Sequence, residues 1–511
     1  MLDCVWFYDL RFLTFCVVCC GKMATAVKSS AEPADCRARA EGMVDWFNKA
    51  VSNFHAVAEA KSRLTQAGYT ELSERNEWKL EKGGKYFFSR NASALVAFAI
   101  GAKYEPGNGA NMVGAHTDSP CLKLKPVSKT SSVGVEQIAV QTYGGGLWST
   151  WFDRDLGVAG RVLVKQSDGT VSHRLVRIDK PICRIPMLAV HMERGSGTKL
   201  EINPENNLKA VLCSTAEATL NAKPDSGEES PDSGKTHANK AHHPGLVQAV
   251  AKELGVDASA IIDFELQLHD TQPSAIGGLY DEFIFAGRID NLSSCFTSLE
   301  ALLESTKAAD SLADETGIRL IVHFDHEEVG SNSAPGAQGP LIVHTLRRVC
   351  ALFASEGHAD AYQRTIQNSF MISADCAHAV HPNYVGKHEA NHRPLINGGV
   401  VLKHNANQRY ATTSVGAYIF RECARLSGTP TQEFVVRQDS GCGSTIGPIT
   451  ASNVGVQTID VGMPQWSMHS VRETMGSKDP EYCTRQLRTF FELGTAIVAS
   501  VDADSEPPTK R

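Results

Sequence analysis

The 511-residue sequence has no long apolar run, no dominant basic block and no regular cysteine spacing. The short apolar run at residues 12–20 is far below the ~20 residues that a membrane-spanning helix needs. With 50 Lys+Arg against 57 Asp+Glu, the formal net charge of −7 argues against nucleic acid as the main partner. The 14 cysteines are dispersed and lie mostly in apolar stretches, as in reduced cytosolic proteins. We therefore expect a soluble, cytoplasmic protein without a nucleic-acid or membrane partner.

Three common catalytic motifs are also missing from the chain. The sequence contains no G-x-x-x-x-G-K-[ST] phosphate loop and no G-x-S-x-G nucleophile elbow. Residues 441–447 are rich in glycine, but their spacing does not fit a dinucleotide-binding turn. The composition, with 42% hydrophobic and 21% charged residues, is that of a globular protein of several domains, most often an enzyme.

The first 22 residues differ from the rest of the chain. Asp3 and Asp9 precede the apolar run and Arg11 is the only base there, so the segment matches a secretory signal poorly. Met23 then opens an ordinary polar sequence. We interpret residues 1–22 as a dispensable extension or the product of an upstream start.

The first half of the chain changes its apolar pattern near residue 121. Residues 40–67 have the apolar spacing of a helix, and residues 94–100 predict a buried strand. From residue 122 to 178 apolar residues alternate with polar ones around a hairpin turn at 167–170, which favours antiparallel β structure. Residues 223–243 are rich in Ser, Pro, Gly and charge and predict a mobile loop.

Beyond about residue 280 the pattern is typical of an α/β domain. An amphipathic helix is predicted around residues 292–303, and buried strands are predicted at 318–324, 370–374 and 456–461. We therefore predict a discontinuous α/β catalytic domain that is interrupted by a β-rich insertion. The predicted boundaries are residues 23–120 and 282–511 for the α/β body and 121–281 for the insertion.

Acidic and histidine side chains lie at or just beyond the ends of the predicted strands. In open α/β sheets the functional site forms outside the carboxyl ends of the strands, so we expect these groups to converge. A single carboxylate at a strand end is usually a helix cap or a solvated charge. The prediction of a functional site therefore depends on several such residues occurring together. The combination is His116, Asp118, Asp290, Glu327, Glu328, Asp375 and His469.

Three carboxylates and two imidazoles from this set suit a pair of borderline divalent cations. Zn²⁺ fits such donors, and Co²⁺ or Mn²⁺ can substitute for it. In a two-metal site one carboxylate bridges the ions. Because Glu327 and Glu328 are adjacent, one can ligate while the other acts as a general base.

A competing zinc motif occurs later in the chain. Residues 388–392 match H-E-x-x-H, which requires both histidines on one helical face. Pro382, Gly386 and Pro394 surround the segment, and no apolar helical period supports it. We therefore interpret residues 388–392 as a polar loop.

Several long motifs resemble those of the aspartyl aminopeptidase family. They are GAHTDSP at 114–120, YGGGLWSTWFDRD at 143–155, YDEFIF at 280–285, residues 325–331, MISADCAHAVHPNY at 371–384, NHRP at 391–394, RYA at 409–411 and TIGP at 445–448. The resemblance covers the chain from about residue 40 to 500. It implies a cytosolic dinuclear zinc exopeptidase that removes N-terminal Asp or Glu, with a mixed-sheet catalytic domain and an inserted β-rich dimerisation domain.

The resemblance also implies a role for each residue of the site. One zinc ion would be held by His116, Asp290 and Asp375, and the second by Asp290, Glu328 and His469. Glu327 would be the general base, taking a proton from the attacking water and delivering it to the leaving amine. Asp118 would orient His116.

Substrate selection and assembly are implied by the same resemblance. Lys403, together with His191 from the insertion of a neighbouring subunit, would bind the acidic side chain. Dimers would assemble into a tetrahedral homododecamer that admits peptides.

His326 departs from the family, where Asn is commoner, and we interpret it as a hydrogen-bonding replacement rather than a further ligand. Two alternatives stay open: a two-metal aminopeptidase of broader specificity, and a catalytically idle assembly or cargo protein on the same scaffold.

Overall fold

The computed structural model of the protein describes residues 33–195, 199–221, 236–354 and 359–501. The predicted extension at residues 1–22 lies outside this part of the chain. Among the helices of the described residues, none is long and apolar enough to cross a membrane.

A nine-stranded mixed sheet forms the centre of the α/β body, in the order β1-β2-β3-β13-β4-β14-β18-β16-β17. Strands β13, β4, β14 and β18 are parallel neighbours, so their carboxyl ends share one edge. The strands are β1 Thr70–Glu71, β2 Lys85–Arg90, β3 Ala94–Ile100, β4 Ala110–His116, β13 Ile318–Phe324, β14 Phe370–Ala374, β16 Val400–His404, β17 Thr431–Val435 and β18 Gln457–Gly462.

Helices cover both faces of this sheet, because its central strands are apolar on both sides. On one face, Val113 and Ala115 of β4 pack in a core with α1, α2, α7, α10 and α12. On the other face, Met112 packs in a core with α8, α9 and α11. These helices are α1 Pro33–Lys49, α2 Asn53–Gln66, α7 Ile289–Ser305, α8 Leu341–Phe353, α9 Ala361–Gln367, α10 Ser414–Ser427, α11 Ile446–Val454 and α12 Asp479–Ala499.

A separate six-stranded antiparallel sheet lies between β4 and α7 in the chain, in the order β8-β7-β10-β5-β6-β9. It has its own apolar core, to which α6 contributes Leu246 and Val250. The predicted hairpin at 167–170 is confirmed by the pairing of β7 with β8. The elements are β5 Cys121–Ser132, β6 Val135–Tyr143, β7 Leu156–Lys165, β8 Val171–Cys183, α3 Pro204–Asn207, β9 Ala210–Ser214, α4 Thr215–Leu220, α5 His237–Ala241, α6 Pro244–Leu254 and β10 Ile261–Asp270.

A third, five-stranded sheet has the order β11-β12-β20-β19-β15. Its strands are β11 Ala275–Gly277, β12 Phe283–Ala286, β15 Ala377–His378, β19 Pro464–Trp466 and β20 Glu473–Gly476. The loop between β19 and β20 carries His469, and β12 leads into the segment that carries Asp290. This sheet therefore brings two candidate ligands close together.

The mixed α/β fold class is confirmed, and two local predictions are wrong. The helix expected over 40–67 is two helices, because α1 ends at Lys49 and Ser52 caps α2 by accepting a hydrogen bond from the backbone N–H of His55 at 3.4 Å. Residues 223–235 of the predicted loop at 223–243 lie outside the described residues, and its described part, residues 236–243, contains the short helix α5, which Thr236 caps through the backbone N–H of Asn239. Polar composition hides both features, since caps and loops use the same residue types.

Candidate metal centre

The candidate ligands converge where the parallel strands of the nine-stranded sheet end. His116 is the last residue of β4, Asp375 directly follows β14, and the Glu327–Val329 turn of 3₁₀-helix lies just beyond β13. Because these strands are adjacent and parallel, their ends meet. Asp290 joins them from the start of α7, and His469 from the loop before β20.

One half of the cluster surrounds the imidazole of His116. Its Nε2 lies 3.4 Å from Oδ1 of Asp290 and 3.7 Å from Oδ1 of Asp375. Oε2 of Glu327 lies 3.9 Å from the same nitrogen. Three carboxylates therefore face a single ring nitrogen.

The other half surrounds His469. Its Nε2 lies 3.3 Å from Oε2 of Glu328 and 3.5 Å from Oδ2 of Asp290. Asp290 thus directs one carboxylate oxygen toward each histidine. A carboxylate in this position can bridge two cations.

The hydrogen bonds of the two histidines leave Nε2 available in each ring. Nδ1 of His469 donates to the backbone carbonyl of Gly145 at 2.9 Å, and Nδ1 of His116 lies 3.0 Å from the backbone carbonyl of Asp118. Since a carbonyl only accepts, the proton of each neutral ring is on Nδ1 and the lone pair is on Nε2. Both lone pairs point into the carboxylate cluster.

The charge of the cluster fits bound divalent cations. Oδ1 of Asp290 and Oε1 of Glu328 are buried and accept no hydrogen bond from the residues that the structure describes. Ligand atoms of His116, Asp290 and Glu328 lie within 4.8 Å of one another. Buried anions without partners are costly, and cations would stabilise them. The nitrogen and carboxylate donors suit zinc.

Electrostatics within the cluster lead to the same conclusion. Burial, and then the charge of Asp290, raises the pKa of Glu328 to about 7. Burial opposes protonation of His116, but its contacts with the surrounding aspartates outweigh this and raise its pKa well above the usual value. The protein groups alone hold protons to balance their charges, and a bound cation would replace those protons.

Asp118 holds the turn that carries the two glutamates. Its Oδ1 accepts from the backbone N–H of Glu327 at 3.1 Å, and its Oδ2 accepts from the backbone N–H of Glu328 at 3.0 Å. Its Oδ1 also lies 3.3 Å from Nδ1 of His116. Asp118 therefore fixes both the histidine and the glutamate pair from outside the cluster.

Two further residues of the site were missed at the level of sequence. Glu473 accepts from the backbone N–H of Asp290 at 3.1 Å and from that of His469 at 2.7 Å, so one buried carboxylate positions two ligands. The hydroxyl of Tyr143 donates to Oδ2 of Asp118 at 2.7 Å. Tyr143 lies within a motif of the resemblance, but the sequence gives no signal for Glu473.

The two predicted substrate-binding residues have different surroundings. Lys403 is 2% exposed, and its Nζ lies 3.4 Å from Oδ2 of Asp375 and 5.0 Å from the ring centre of Tyr410. Its charge is therefore beside the cluster. His191 lies in an exposed loop beyond β8 and is not part of this chain's cluster.

The competing histidines lie apart from the cluster. Residues 388–392 are not helical, and Nε2 of His388 accepts from the backbone N–H of His381 at 3.1 Å. Nδ1 of His392 contacts Glu389 at 2.5 Å. The interpretation of residues 388–392 as a polar loop is confirmed.

Nδ1 of His326 lies 2.8 Å from the hydroxyl of Ser333, which supports a hydrogen-bonding role.

Comparison with known proteins relates this arrangement to a peptidase family. The family model of the aminopeptidase I zinc metalloproteases (M18) matches residues 46–491, which include all the candidate site residues. An aspartyl aminopeptidase of Aspergillus oryzae is 46% identical over 473 residues, which cover 88% of this chain and 94% of that protein.

Solved structures are similar over the same range. The cryo-EM structure of the Ape4 and Nbr1 complex contains a chain that matches with a TM-score of 0.86 at 40% identity, covering 94% of this chain and 89% of that chain. The mApe1 dodecamer of S. cerevisiae matches with a TM-score of 0.79 at 30% identity, covering 90% of this chain and 98% of that chain.

Proposed function

The chain belongs to the aminopeptidase I zinc metalloprotease (M18) family, and from this premise we propose that it releases N-terminal Asp and Glu from peptides. The observation that carries the proposal is the position of Asp290, whose two carboxylate oxygens face His116 and His469 separately. The name of the Aspergillus oryzae relative supports acidic specificity.

Two zinc ions per subunit fit the donors of the cluster. His116, Asp290 and Asp375 would hold one ion, and Asp290, Glu328 and His469 the other; Co²⁺ or Mn²⁺ would substitute. Bound there, zinc would polarise the scissile carbonyl and acidify the attacking water. Asp118 and Glu473 would keep the ligands in position through their backbone hydrogen bonds.

Glu327 is the proposed general base. Its side chain is 15% exposed, so its carboxylate lines the cluster and still reaches the solvent side. Burial, together with Asp375 and Glu328, raises its pKa well above the ordinary value, and cations in the cluster would lower that pKa again. An ionised carboxylate in this position can take a proton at Oε2 from the attacking water and return it to the leaving amine.

Positive charge near the cluster favours acidic substrates. The Lys403 ammonium is buried beside Asp375, so a substrate carboxylate that binds next to Asp375 would lie near this positive charge. We assign His191 to the site of a neighbouring subunit, which would explain its exposure in a single chain. The match to a dodecamer supports self-association. We assign the dimer contacts to the β-rich insertion, residues 121–281, and the homododecamer to the cytoplasm.

A panel of peptides that differ only in the N-terminal residue tests the proposal. We expect rapid release of Asp and Glu, slow release of Leu and Ala, and loss of all release in the presence of a zinc chelator. Zinc added after chelation should restore the activity. Equal release of acidic and neutral residues would favour the alternative of broad specificity, and absence of release in zinc-loaded protein would favour the idle scaffold.

The same panel tests Lys403. In Lys403→Met we expect kcat/KM to fall for every peptide, because Asp375 loses its ion pair. The fall for Asp-peptides should exceed that for Leu-peptides by about tenfold or more, since a buried charge pair with the substrate is also lost. Exposed Lys103 pairs with Asp314 near the start of β13, at the end of the strand opposite to the cluster, and offers a control in Lys103→Met. An unchanged Asp-to-Leu ratio in Lys403→Met would exclude Lys403 from specificity.

A further inference from the structure

A second group of metal-ligating side chains lies in the six-stranded sheet, outside the catalytic cluster. His237, His242 and Asp263 each offer one ligand atom, and these atoms lie within 4.8 Å of one another. His237 is the first residue of the short helix α5 and His242 caps its end, while Asp263 comes from β10 at a register shift in its pairing with β7. Three separate positions of the fold thus meet at one point.

The buried member of the group has a ring nitrogen without a partner. His242 is 2% exposed, and its Nε2 accepts and donates no hydrogen bond within the described part of the chain. Its Nδ1 lies 2.8 Å from the hydroxyl of Ser128 on β5, so Nε2 is the ring nitrogen of His242 that can bind a ligand. A buried polar atom without a partner is unfavourable, and a ligand at Nε2 would remove that cost.

The neighbours of His242 keep its ring in a fixed orientation. The ring centre of Phe264 lies 4.1 Å away with an interplanar angle of 33°, so the imidazole packs over the aromatic face. A ligand that is already oriented loses little freedom when an ion binds.

His237, the exposed member of the group, uses its ring nitrogens the other way round from His242, with Nε2 in a hydrogen bond and Nδ1 available. Nε2 of His237 lies 3.2 Å from the backbone carbonyl of Pro126. Because a carbonyl only accepts, Nε2 carries the proton and Nδ1 carries the lone pair. His237 is exposed, so an ion could enter from solvent on this side. Asp263 contributes the negative charge, and its Oδ1 also accepts from the backbone N–H of Phe264 at 2.8 Å.

We propose that His237, His242 and Asp263 form a further zinc site in the β-rich insertion, distinct from the catalytic pair. Two imidazole nitrogens and one carboxylate oxygen are a donor set that zinc accepts, with its fourth position left to water. The ion would join α5 to the sheet, since Ser128 and Pro126 on β5 hold the histidines and β10 supplies the aspartate. No residue of the catalytic cluster belongs to this site.

Zinc content of the full-length protein tests this site. After equilibration with zinc and removal of the loose ion, wild-type protein should retain one more zinc per chain than His237→Ala or Asp263→Asn. The variant His173→Ala removes an exposed histidine from β8 of the same sheet and should retain the wild-type content. Peptidase activity of His237→Ala should equal that of wild type.

The catalytic ions can be separated from this ion by a second comparison. Asp290→Asn, which disables the catalytic cluster, should still retain one zinc per chain, and the double variant with His237→Ala should retain none. A zinc-dependent rise of a few degrees in the midpoint of thermal unfolding should be smaller in His237→Ala than in wild type. Equal zinc contents in wild type, His237→Ala and Asp263→Asn would overturn the proposal, whatever the outcome for the catalytic site.

Discussion

Replacement of Glu327 by Gln is expected to lower kcat by roughly 10²–10⁴-fold and to leave the zinc content unchanged, because the amide cannot take or return a proton. Gln has nearly the same shape, so Asp118 still binds the backbone N–H of residue 327 and the turn keeps its position. The expected result is a loss in kcat with little change in KM. Steady-state kinetics on an Asp-peptide and zinc analysis of the same sample measure both quantities.

The adjacent glutamate provides a matched control for Glu327→Gln. Oε2 of Glu328 lies 3.3 Å from Nε2 of His469, so Glu328→Gln should weaken zinc binding as well as turnover. The two variants make the same chemical change at neighbouring positions and separate a base from a ligand. If Glu327→Gln loses zinc, Glu327 is a ligand; if it keeps most of its turnover, the base is another group.

Replacement of Asp290 by Asn is expected to abolish activity, because both proposed catalytic ions would lose a ligand. Each oxygen of Asp290 faces a different histidine, and the amide nitrogen of Asn cannot ligate a cation. Metal catalysis contributes several kcal/mol to the stabilisation of the transition state. At ~1.4 kcal/mol per tenfold, we expect activity to fall by about 10³-fold or more. Kinetics over a range of free zinc concentrations will show whether added metal rescues the variant.

Asp118→Asn makes the same chemical change beside the cluster and should reduce zinc affinity and activity less than Asp290→Asn does. Asp118 lies beside the cluster and positions ligands through hydrogen bonds, so its replacement should cost about 10–100-fold in zinc affinity or activity. Asp290→Asn should cost more than Asp118→Asn at every zinc concentration. A variant of Asp290 that binds two catalytic ions and cleaves peptides at the wild-type rate would contradict the bridging role.

The sequence predicts the strand-end part of the site because simple rules link strand order to position. Parallel strands bring their carboxyl ends to one edge, so residues such as His116 and Asp375 can be assigned to the same place without coordinates. The resemblance then supplies the partners from other segments, among them His469. The α/β body and the β-rich insertion follow from the change in apolar period near residue 121.

Residues that act through the backbone could not be predicted in the same way. Glu473 lies on a short strand of the five-stranded sheet, and its role depends on two backbone N–H groups that the fold brings to it. His237 and His242 lie in a stretch whose composition predicts a loop, and their meeting with Asp263 depends on strand pairing across the insertion. Such contacts depend on tertiary geometry, which the local pattern of residue types does not carry.

The central claim is that two zinc ions lie on either side of the Asp290 carboxylate. Anomalous diffraction at the zinc edge from crystals of the active enzyme tests it most directly. We predict two neighbouring peaks in the catalytic body, one between His116 and Asp375 and one between Glu328 and His469, both in contact with Asp290. A single peak in the cluster, or a peak at His388 and His392 in its place, would contradict the account.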